Sequence, residues 1–246
     1  MDENKSVLKD SVDEGIGLKL VLDSSYPLLK EFREACPGTF KHSQALMSMV
    51  EGISLALNLD VNVMKVMAQY HDIGKMLNPG YFTENQLDNE NPHDNLSPEM
   101  SYQIISRHVS DTAMILTKDD NFPKEIIKKM QQHHGTTLVG NFYKKAKLAN
   151  EDVDINDFRY HSEKPSSVES MILMICDNIE ARSRSDLQHN KFNPTISIDE
   201  TIDTLMKDGQ LDAMTLGDLR KIKEALGKEL EGTYQKRVSY TAEKEK

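Results

Sequence analysis

Apolar residues recur at spacings of three and four along most of the chain. Leu46, Met49, Val50, Ile53 and Leu57 form one such face, and this spacing is that of an amphipathic helix. Similar faces lie within residues 63–70, 104–109, 126–134, 168–179 and 219–234. No segment sustains the period-two alternation of a half-buried strand. We therefore predict an all-α fold.

Proline, serine and glycine mark the ends of the predicted helices. We predict a short helix over residues 26–36, stopped by Pro37 and Gly38, and a second helix from Lys41 onward. Ser97 before Pro98 predicts another helix start, because serine caps a helix and proline is tolerated in its first turn. Further signals are the capping-box pairs Ser166 with Glu169 and Ser197 with Glu200, a helix start at Pro123, and a C-terminal cap at Gly209.

The domain boundaries follow from composition. The first 15 residues are charged and aperiodic, so we predict a disordered or linker N-terminus over 1–15. One helical domain is predicted over 16–240, followed by a polar C-terminal tail over 241–246. Residues 78–96 are rich in Asn, Pro, Gly and Asp, which predicts a long loop of the kind that often serves as a functional lid.

Charge and cysteine usage exclude several classes of protein. The chain has 30 basic and 40 acidic side chains and a net charge of −10, which argues against binding to bulk nucleic acid. It contains no run of about 18 apolar residues and no secretory signal pattern, so we expect no membrane segment in this chain. Two cysteines make no disulfide framework, and a cytoplasmic location is expected.

The chemistry of the chain is concentrated in its histidines. Among eight histidines, His71 is followed directly by Asp72 at the end of a predicted helix. An aspartate can bridge two cations through its two oxygens. Asp177 lies on a strongly apolar helix, where a cation or an arginine partner is needed to offset the cost of burying its charge. The predicted metal ligands are His42, His71, Asp72, His108, His133, His134 and Asp177.

This donor set predicts the kind of metal. Five histidines and two aspartates supply nitrogen and oxygen donors, and Asp72 could be shared by two ions. This set suits two divalent ions such as manganese or iron, whereas a structural zinc site would use more cysteine. His161 and His189 lie in polar stretches and are interpreted as ordinary polar residues. The role of His93, within the predicted loop, stays open.

The pattern His…His-Asp…Asp resembles the signature of the HD superfamily of metal-dependent phosphohydrolases, and HDIGK at 71–75 is its common local form. Over residues 16–240 the chain resembles one branch closely, the cytoplasmic HD domain of the seven-transmembrane HD proteins, the PgpH-type cyclic di-AMP phosphodiesterases of bacteria. The stretches that carry this resemblance include PGTFKHS (37–43), YHDIGK (70–75), ENPHDNLSP (90–98), QQHHGTTLV (131–139) and CDNIEARSR (176–184).

The resemblance implies a single HD-domain helical bundle with a two-metal centre. By motif, one metal would be held by His42, His71, Asp72 and Asp177, and the other by Asp72, His108, His133 and His134. The metals implied are manganese and iron, and the substrate implied is cyclic di-AMP, opened to the linear dinucleotide pApA. The family domain normally follows a membrane region, so the chain is either a soluble relative or the cytoplasmic domain of a bacterial inner-membrane protein.

A mechanism follows from these residues. A hydroxide that bridges the two metals is expected to attack phosphorus. Asp72 and Lys75 are the predicted catalytic residues, because a lysine one turn from the metal ligands can reach a phosphate oxygen or the leaving group. The predicted substrate contacts are Lys75, Arg184, Thr136, Thr137 and Tyr143. Arg184 follows Asp177 by two helical turns, and its guanidinium suits phosphate.

Three alternatives remain open from the sequence. GTTLVGNFY (135–143) stands where the related cyclic di-GMP enzymes carry Gly-Tyr-Pro, yet cyclic di-GMP is retained as an alternative substrate. The second is an HD-type hydrolase of another nucleotide or an HD-type oxygenase. The third is a cyclic-dinucleotide-binding sensory module. A homodimer is among the partners considered.

Overall fold

The computed structural model describes residues 17–86, 91–189 and 191–244, with side chains described as far as residue 232. Residues 17–21 form a short helical segment. The longer helices are α1 Pro27–Ala35, α2 Pro37–Leu57, α3 Val61–Tyr70, α4 Pro98–Leu116, α5 Lys124–Gln131, α6 Gly140–Ala149, α7 Val168–Gln188, α8 Pro194–Lys207 and α9 Leu216–Lys244. These described ranges contain no β-strand, and their only bridge pairs Leu138 with Arg159. The predicted all-α fold is confirmed.

Helix α2 lies at the centre of the bundle. It contacts α3, α7 and α9 and carries the buried residues Leu46, Met49, Val50 and Ile53, four of the five predicted apolar positions. A second, smaller apolar cluster forms beside α4 and α6 around Tyr102, Ala146 and Phe158. The main core therefore packs α2 against α3, α7 and α9.

The start of α2 differs from the prediction. Pro37 does not merely stop α1 but also occupies the first position of α2, so α2 begins four residues earlier than Lys41. Proline is tolerated there because the first N–H groups of a helix have no intrahelical partner. As a result His42 lies in the second turn of α2, within a rigid part of the helix.

The cap signals were partly wrong. Ser97 is confirmed as the cap of α4, since its Oγ accepts a hydrogen bond from the Met100 N–H at 3.2 Å. The cap of α7 is Ser167 rather than Ser166, and α8 begins at Pro194 with Asn193 as its cap, so Ser197 lies buried inside the helix. Several serine and asparagine residues that could cap a helix stand a few positions apart, so the sequence does not determine which of them is the cap.

The C-terminal end of α8 agrees with the prediction. Gly209 adopts φ +67°, and its N–H and the N–H of Gln210 bond the carbonyls of Met206 and Leu205. This left-handed arrangement ends a helix and favours glycine. The same turn places the Gln210 side chain beside Thr136, two residues after the predicted metal ligand His134.

The segment predicted as a long loop is partly ordered into 3₁₀ turns at Pro79–Tyr81, Thr83–Asn85 and Pro92–Asn95. Asn85 anchors it to the start of α2, because its Oδ1 accepts the N–H groups of Gly38 and Thr39, each at 3.0 Å. The described part of this segment is therefore a fixed wall beside α2 rather than a free lid.

Only the C-terminal of the two predicted terminal segments can be compared with the structure. The predicted N-terminal segment 1–15 lies outside the described residues. A polar tail was predicted from residue 241, whereas α9 extends to Lys244. Among the described helices, none combines the length and apolar character needed to cross a bilayer.

Candidate metal centre

The site begins at the end of α3. Asp60 caps the start of this helix, and α3 ends at Tyr70, so that His71 follows as its C-terminal cap. A 3₁₀ turn over Ile73–Leu77 continues from Asp72. The change of direction leaves His71 and Asp72 buried side by side, with Asp72 2% exposed.

Gly74 brings this turn against α4. A side-chain Cβ at Gly74 would lie 2.2 Å from the carbonyl oxygen of His108 and 2.5 Å from the Thr112 nitrogen. The Gly74 N–H donates to Thr112 Oγ1 at 3.0 Å, and Thr112 Oγ1 donates to the His71 carbonyl, also at 3.0 Å. Glycine has no Cβ, so the main chain of the turn can contact α4 directly. This contact places Asp72 beside His108.

The seven predicted metal ligands meet at this point, although they come from five parts of the chain. His42 lies on α2, His108 on α4 and Asp177 on α7, while His133 and His134 follow the end of α5. They form two groups that share Asp72, and within each group the donor atoms lie within 4.8 Å of one another. The groups are His42, His71, Asp72 and Asp177, and Asp72, His108, His133 and His134.

Backbone carbonyls fix the orientation of three imidazoles. Nδ1 of His71, His108 and His133 lies within 3.0, 2.5 and 2.7 Å of the carbonyl three residues earlier in the chain. A carbonyl only accepts, so each Nδ1 carries the proton and each Nε2 presents a lone pair. The Nε2 atoms of His108 and His133 then face each other at 3.3 Å. Convergent lone pairs of this kind call for a cation between them.

Two buried atoms give an independent test of this fit. His71 Nε2 and Asp72 Oδ1 are buried and have no hydrogen-bond partner among the described residues. Buried polar atoms without partners are costly, and a bound cation would satisfy both. The nitrogen and oxygen donor set is compatible with divalent transition metals, so the residues present fit a metal centre.

His42 is held by a carboxylate on each side. Its Nδ1 lies 2.6 Å from Glu180 Oε2, and its Nε2 lies 3.1 Å from Asp177 Oδ1. Burial disfavours the charged form of His42, but Asp177 and Glu180 outweigh this effect and raise its pKa to about 9. A carboxylate behind a metal-ligating histidine orients the ring and increases its basicity. Glu180 was not predicted from the sequence.

The charges of the centre set the ionisation of its members. Burial opposes ionisation of Asp72, but Lys75 and the neighbouring histidines hold the pKa of this carboxyl well below its usual range. Burial, together with His133 and His108, holds the pKa of His134 well below its usual range. Asp72 is therefore a carboxylate and His134 a neutral imidazole, which are the forms that bind metal ions.

Lys75 lies between two carboxylates. Its Nζ lies 2.7 Å from Asp72 Oδ2 and 2.9 Å from Glu84 Oε1, and it stands 4.9 Å from the centre of the Phe82 ring. Burial disfavours the charged form, but the two carboxylates outweigh it and raise the pKa of Lys75 above its usual range. Lys75 is therefore a cation beside the shared aspartate.

Two adjoining cavities open onto the centre. The smaller, of about 270 Å³, is lined by metal-centre residues that include His108, His134 and Asp177. The larger, of about 910 Å³, lies between α2, α7 and α9. Arg184 lines both cavities, and its Nη2 lies 3.7 Å from Glu180 Oε2. Arg184 thus lies beside the site, two turns after Asp177, and its contact with substrate stays a prediction.

Three predicted substrate contacts lie away from these cavities. The Thr136 hydroxyl accepts a bond from Gln210 Nε2 at 2.8 Å, and the Thr137 hydroxyl donates to the His134 carbonyl at 2.7 Å. Tyr143 packs in the smaller apolar cluster, 6.1 Å from Phe158 between ring centres. None of the three lines either cavity, and their contact with substrate stays a prediction.

Two further residues were not found from the sequence. Tyr160 stacks on His134 with the ring centres 4.3 Å apart, and Glu84 joins Lys75 to Thr39 Oγ1. Neither had a local signal, because each lies in a polar stretch without periodicity. His93, whose role was open, is buried, and its Nε2 lies 3.0 Å from the Tyr81 carbonyl, so it supports the wall beside α2.

The described fold and site define the class of protein. It is an all-helical metal-binding domain in which seven histidines and aspartates converge, and one of them, Asp72, belongs to both donor groups. A sequence model of the HD domain family matches residues 39–182, and the chain belongs to that family. It is 40% identical over 228 residues to the cyclic-di-AMP phosphodiesterase PgpH of Listeria monocytogenes and 36% identical over 218 residues to that of Bacillus subtilis. These matches cover 90% and 88% of this chain but only 31% and 30% of the relatives, so the chain spans about a third of their length.

Solved structures agree with this assignment. The HD domain of the Listeria PgpH in complex with cyclic di-AMP has a TM-score of 0.79 and 39% identity, covering 86% of this chain and all of that one. The same domain described without a ligand gives 0.76 and 38%, covering 85% of this chain and all of that one. The predicted resemblance to the HD domain of PgpH-type proteins is confirmed.

Proposed function

We propose that the chain is a metal-dependent phosphodiesterase that opens cyclic di-AMP to the linear dinucleotide pApA. The observation that carries the proposal is Asp72, one buried carboxylate that belongs to both donor groups. Two divalent cations held by these groups would supply an activated water and would stabilise charge during in-line displacement at phosphorus. The names of the relatives support cyclic di-AMP as the substrate.

The metal ligands proposed are the two groups described above. His42, His71, Asp72 and Asp177 would hold one cation, and Asp72, His108, His133 and His134 the other. We propose manganese or iron, because both accept mixed imidazole and carboxylate ligands and the set contains no thiolate. The carbonyl-bonded imidazoles and Glu180 would keep these ligands in position before any cation arrives.

Lys75 and Arg184 are the proposed cationic contacts to substrate. Lys75 is charged and lies beside Asp72, so it can stabilise negative charge that develops on a phosphate or leaving oxygen during the reaction. Arg184 lines both cavities and can bond two oxygens of a phosphate. Asp72 contributes by orienting the reacting groups. These local cations and the metals set the potential at the site, despite the net charge of −10.

We propose that this activity takes place in the bacterial cytoplasm, because the resemblance is to the cytoplasmic HD domain of PgpH-type proteins. Residues 16–240 are the proposed unit that carries it. A homodimer is a further proposal, to be checked by sedimentation of the purified protein.

Turnover is the direct test. Protein loaded with Mn²⁺ should convert cyclic di-AMP to pApA, followed by liquid chromatography. Cyclic di-GMP and a panel of mononucleotides are run in parallel, and oxygen consumption with reduced iron tests for an oxygenase. Absence of turnover of any cyclic dinucleotide by protein shown to contain metal would overturn the proposal.

Asp72→Ala separates an enzyme from a sensory module. The variant should lose both turnover and metal, because both donor groups lose the ligand that they share. A binding module without a role for metal would keep its affinity for the nucleotide in this variant.

A further inference from the structure

We propose that Tyr160 is a positioning residue of the metal centre, whose ring holds the imidazole of His134 in the orientation in which it binds a cation. The inference rests on the proposed function only in that it takes His134 as a ligand of the cation shared with Asp72, His108 and His133. It does not depend on the substrate or on the reaction, so the two proposals can fail separately.

His134 lacks the hydrogen bond that fixes the other ligand imidazoles. Of the other four, three are bonded to the carbonyl three residues earlier in the chain, and the fourth is bonded to Glu180. In the part of the chain that the structure describes, neither ring nitrogen of His134 has a hydrogen-bond partner. Its Nδ1 lies 3.9 Å from Asp177 Oδ2, which is too long for a hydrogen bond.

The carbonyl that would complete the pattern at His134 is bonded elsewhere. Three residues before His134 stands Gln131, the last residue of α5. The Ser162 hydroxyl donates a hydrogen bond to the Gln131 carbonyl at 2.6 Å. Ser162 belongs to the segment 158–162, which also carries Tyr160. The same segment therefore bonds this carbonyl and presents an aromatic ring to the imidazole.

The ring of Tyr160 lies over the imidazole. The two ring centres are 4.3 Å apart and the planes are inclined by 20°. The other rings beside His134 are those of His133 and His108, which are themselves proposed ligands. The torsion about the bond between Cβ and the ring of a histidine has broad minima, so it needs a partner to define it. Stacking on Tyr160 supplies that partner.

Main-chain bonds fix Tyr160 independently of any cation. The Tyr160 N–H donates to the Thr137 carbonyl at 2.9 Å, and the Val139 N–H donates to the Phe158 carbonyl at 2.9 Å. The side chain is 8% exposed. Its hydroxyl forms no hydrogen bond within the described residues. The ring, rather than the hydroxyl, is therefore the part of Tyr160 that acts on His134.

Removing the ring tests the inference. Tyr160→Leu removes it, and Tyr160→Phe keeps it without the hydroxyl. The matched control is Phe158→Leu, which removes another buried ring two residues earlier in the same segment. The ring contacts of Phe158 are with Tyr102 and Tyr143 rather than with a metal ligand.

The measured quantity is the affinity of metal-free protein for Mn²⁺, determined by competition with a chelator. Two reference variants assign the two binding steps. His134→Ala should remove the step of the cation that His134 binds, and His42→Ala should remove the other.

We expect Tyr160→Leu to weaken the step assigned to His134 by about tenfold, the lower end of the range for loss of a group that orients a ligand. The step assigned to His42 should change by less than about twofold, and Tyr160→Phe should keep both affinities. Phe158→Leu should lower Tm but keep both affinities. A merely structural role would make Tyr160→Leu behave as Phe158→Leu does.

NMR gives a readout on the wild-type protein, which needs no variant to fold. In metal-free protein with labelled histidine and tyrosine, the His134 imidazole should give one set of resonances and nuclear Overhauser effects to the Tyr160 ring. Several sets of His134 resonances, or no such effects, overturn the inference even if Tyr160→Leu does not fold.

Failure of the inference is distinguishable from failure of the proposed function. Two binding steps that are unchanged in Tyr160→Leu overturn the inference, and so does an equal loss in Tyr160→Phe, because it would assign the effect to the hydroxyl. A wild-type protein that binds only one cation overturns the proposed two-cation centre together with the inference. If the tenfold loss is found but cyclic di-AMP is not turned over, the proposed reaction is overturned and the role of Tyr160 stands.

Discussion

His42 links Glu180 to Asp177 through its two ring nitrogens, at 2.6 Å on the Nδ1 side and 3.1 Å on the Nε2 side. This chain of three groups extends from the cavity wall into the metal centre. A bond from Nδ1 to a carboxylate leaves Nε2 facing the other donors. Glu180, although it is outside the donor groups, therefore governs how His42 enters its group.

The first prediction concerns Glu180. Glu180→Ala should weaken metal binding by about 10–100-fold, because the loss of an outer carboxylate partner costs a ligating histidine its orientation and basicity. Glu180→Gln should lose less, since its amide oxygen can still accept from Nδ1. Affinity is measured by competition with a chelator. Glu51→Gln, which removes a charge paired with Lys65 on the surface, is the control, and equal affinities in all four proteins would contradict the role given to Glu180.

The second prediction concerns metal removal. Addition of Mn²⁺ to chelator-treated protein should raise Tm, because a ligand that binds only the folded state stabilises it, by about 2.7 kcal/mol at a concentration of 100 times Kd. Asp72→Ala should show no such increase, since both donor groups lose their shared carboxylate. An equal increase in the variant would show that Asp72 is not required for binding.

The third prediction concerns Lys75. Lys75→Met keeps most of the length of the side chain and removes the charge that lies 2.7 Å from Asp72. We expect kcat for cyclic di-AMP to fall by about 10²–10³-fold, the range for loss of one group that stabilises transition-state charge. Metal content, determined by elemental analysis, should persist. A variant that loses metal and activity together would assign Lys75 to the support of Asp72 rather than to catalysis.

The fourth prediction concerns the turn that follows His134. Gln210 is buried, and its Oε1 accepts the Thr136 N–H at 3.2 Å while its Nε2 donates to the Thr136 hydroxyl. Gln210→Ala should lower the free energy of unfolding by roughly 1–3 kcal/mol, because it leaves a partly buried N–H without a partner. Urea denaturation measures the loss. Gln103→Ala, at an exposed site on α4, should change stability little.

The fifth prediction is a pH dependence. Burial opposes ionisation of Asp208, but bonds from Arg159 and Gln210 outweigh it and lower the pKa of this carboxyl. The folded pKa therefore lies below the unfolded value of about 3.9. The stabilisation is fully present above that value and is lost as the pH falls through the lowered pKa.

Asp208→Asn in metal-free protein should accordingly lower stability by about 1 kcal/mol at pH 7, a value reduced by partial exposure of the pair. The gap should close as the pH falls below 3.9 toward the lowered pKa. Asp212→Asn, which changes an exposed carboxylate, is the control. Urea denaturation at several pH values measures the difference, and a gap that does not vary with pH would contradict the assignment.

The sequence was a good guide to the helices and to the inner ligands. The apolar faces of α2 and α7 predict burial because burial follows the helical period directly. The HD pair and the histidine pair are recognisable by residue type alone. All seven proposed ligands converge in the structure.

The sequence was a poor guide to the partners around those ligands. Glu180 lies one turn after a buried aspartate, where a glutamate is typical of a solvated helix face, and only the approach of α2 gives it His42 as a partner. Thr136 and Thr137 follow the histidine pair closely, yet the turn directs their hydroxyls to Gln210 and to the His134 carbonyl. Such contacts depend on how helices meet, which periodicity does not encode.

The contact at Gly74 has a mechanical consequence. The apolar core includes several methionines, among them the buried Met64, Met67 and Met171, and these side chains adapt easily to their surroundings. The spacing between Asp72 and His108 is instead set by direct contact between the main chain of the turn and that of α4, and Thr112 of α4 bonds both the Gly74 N–H and the His71 carbonyl of the turn. The distance between Asp72 and His108 should therefore vary less with pressure and temperature than the packing of the methionine side chains in the core.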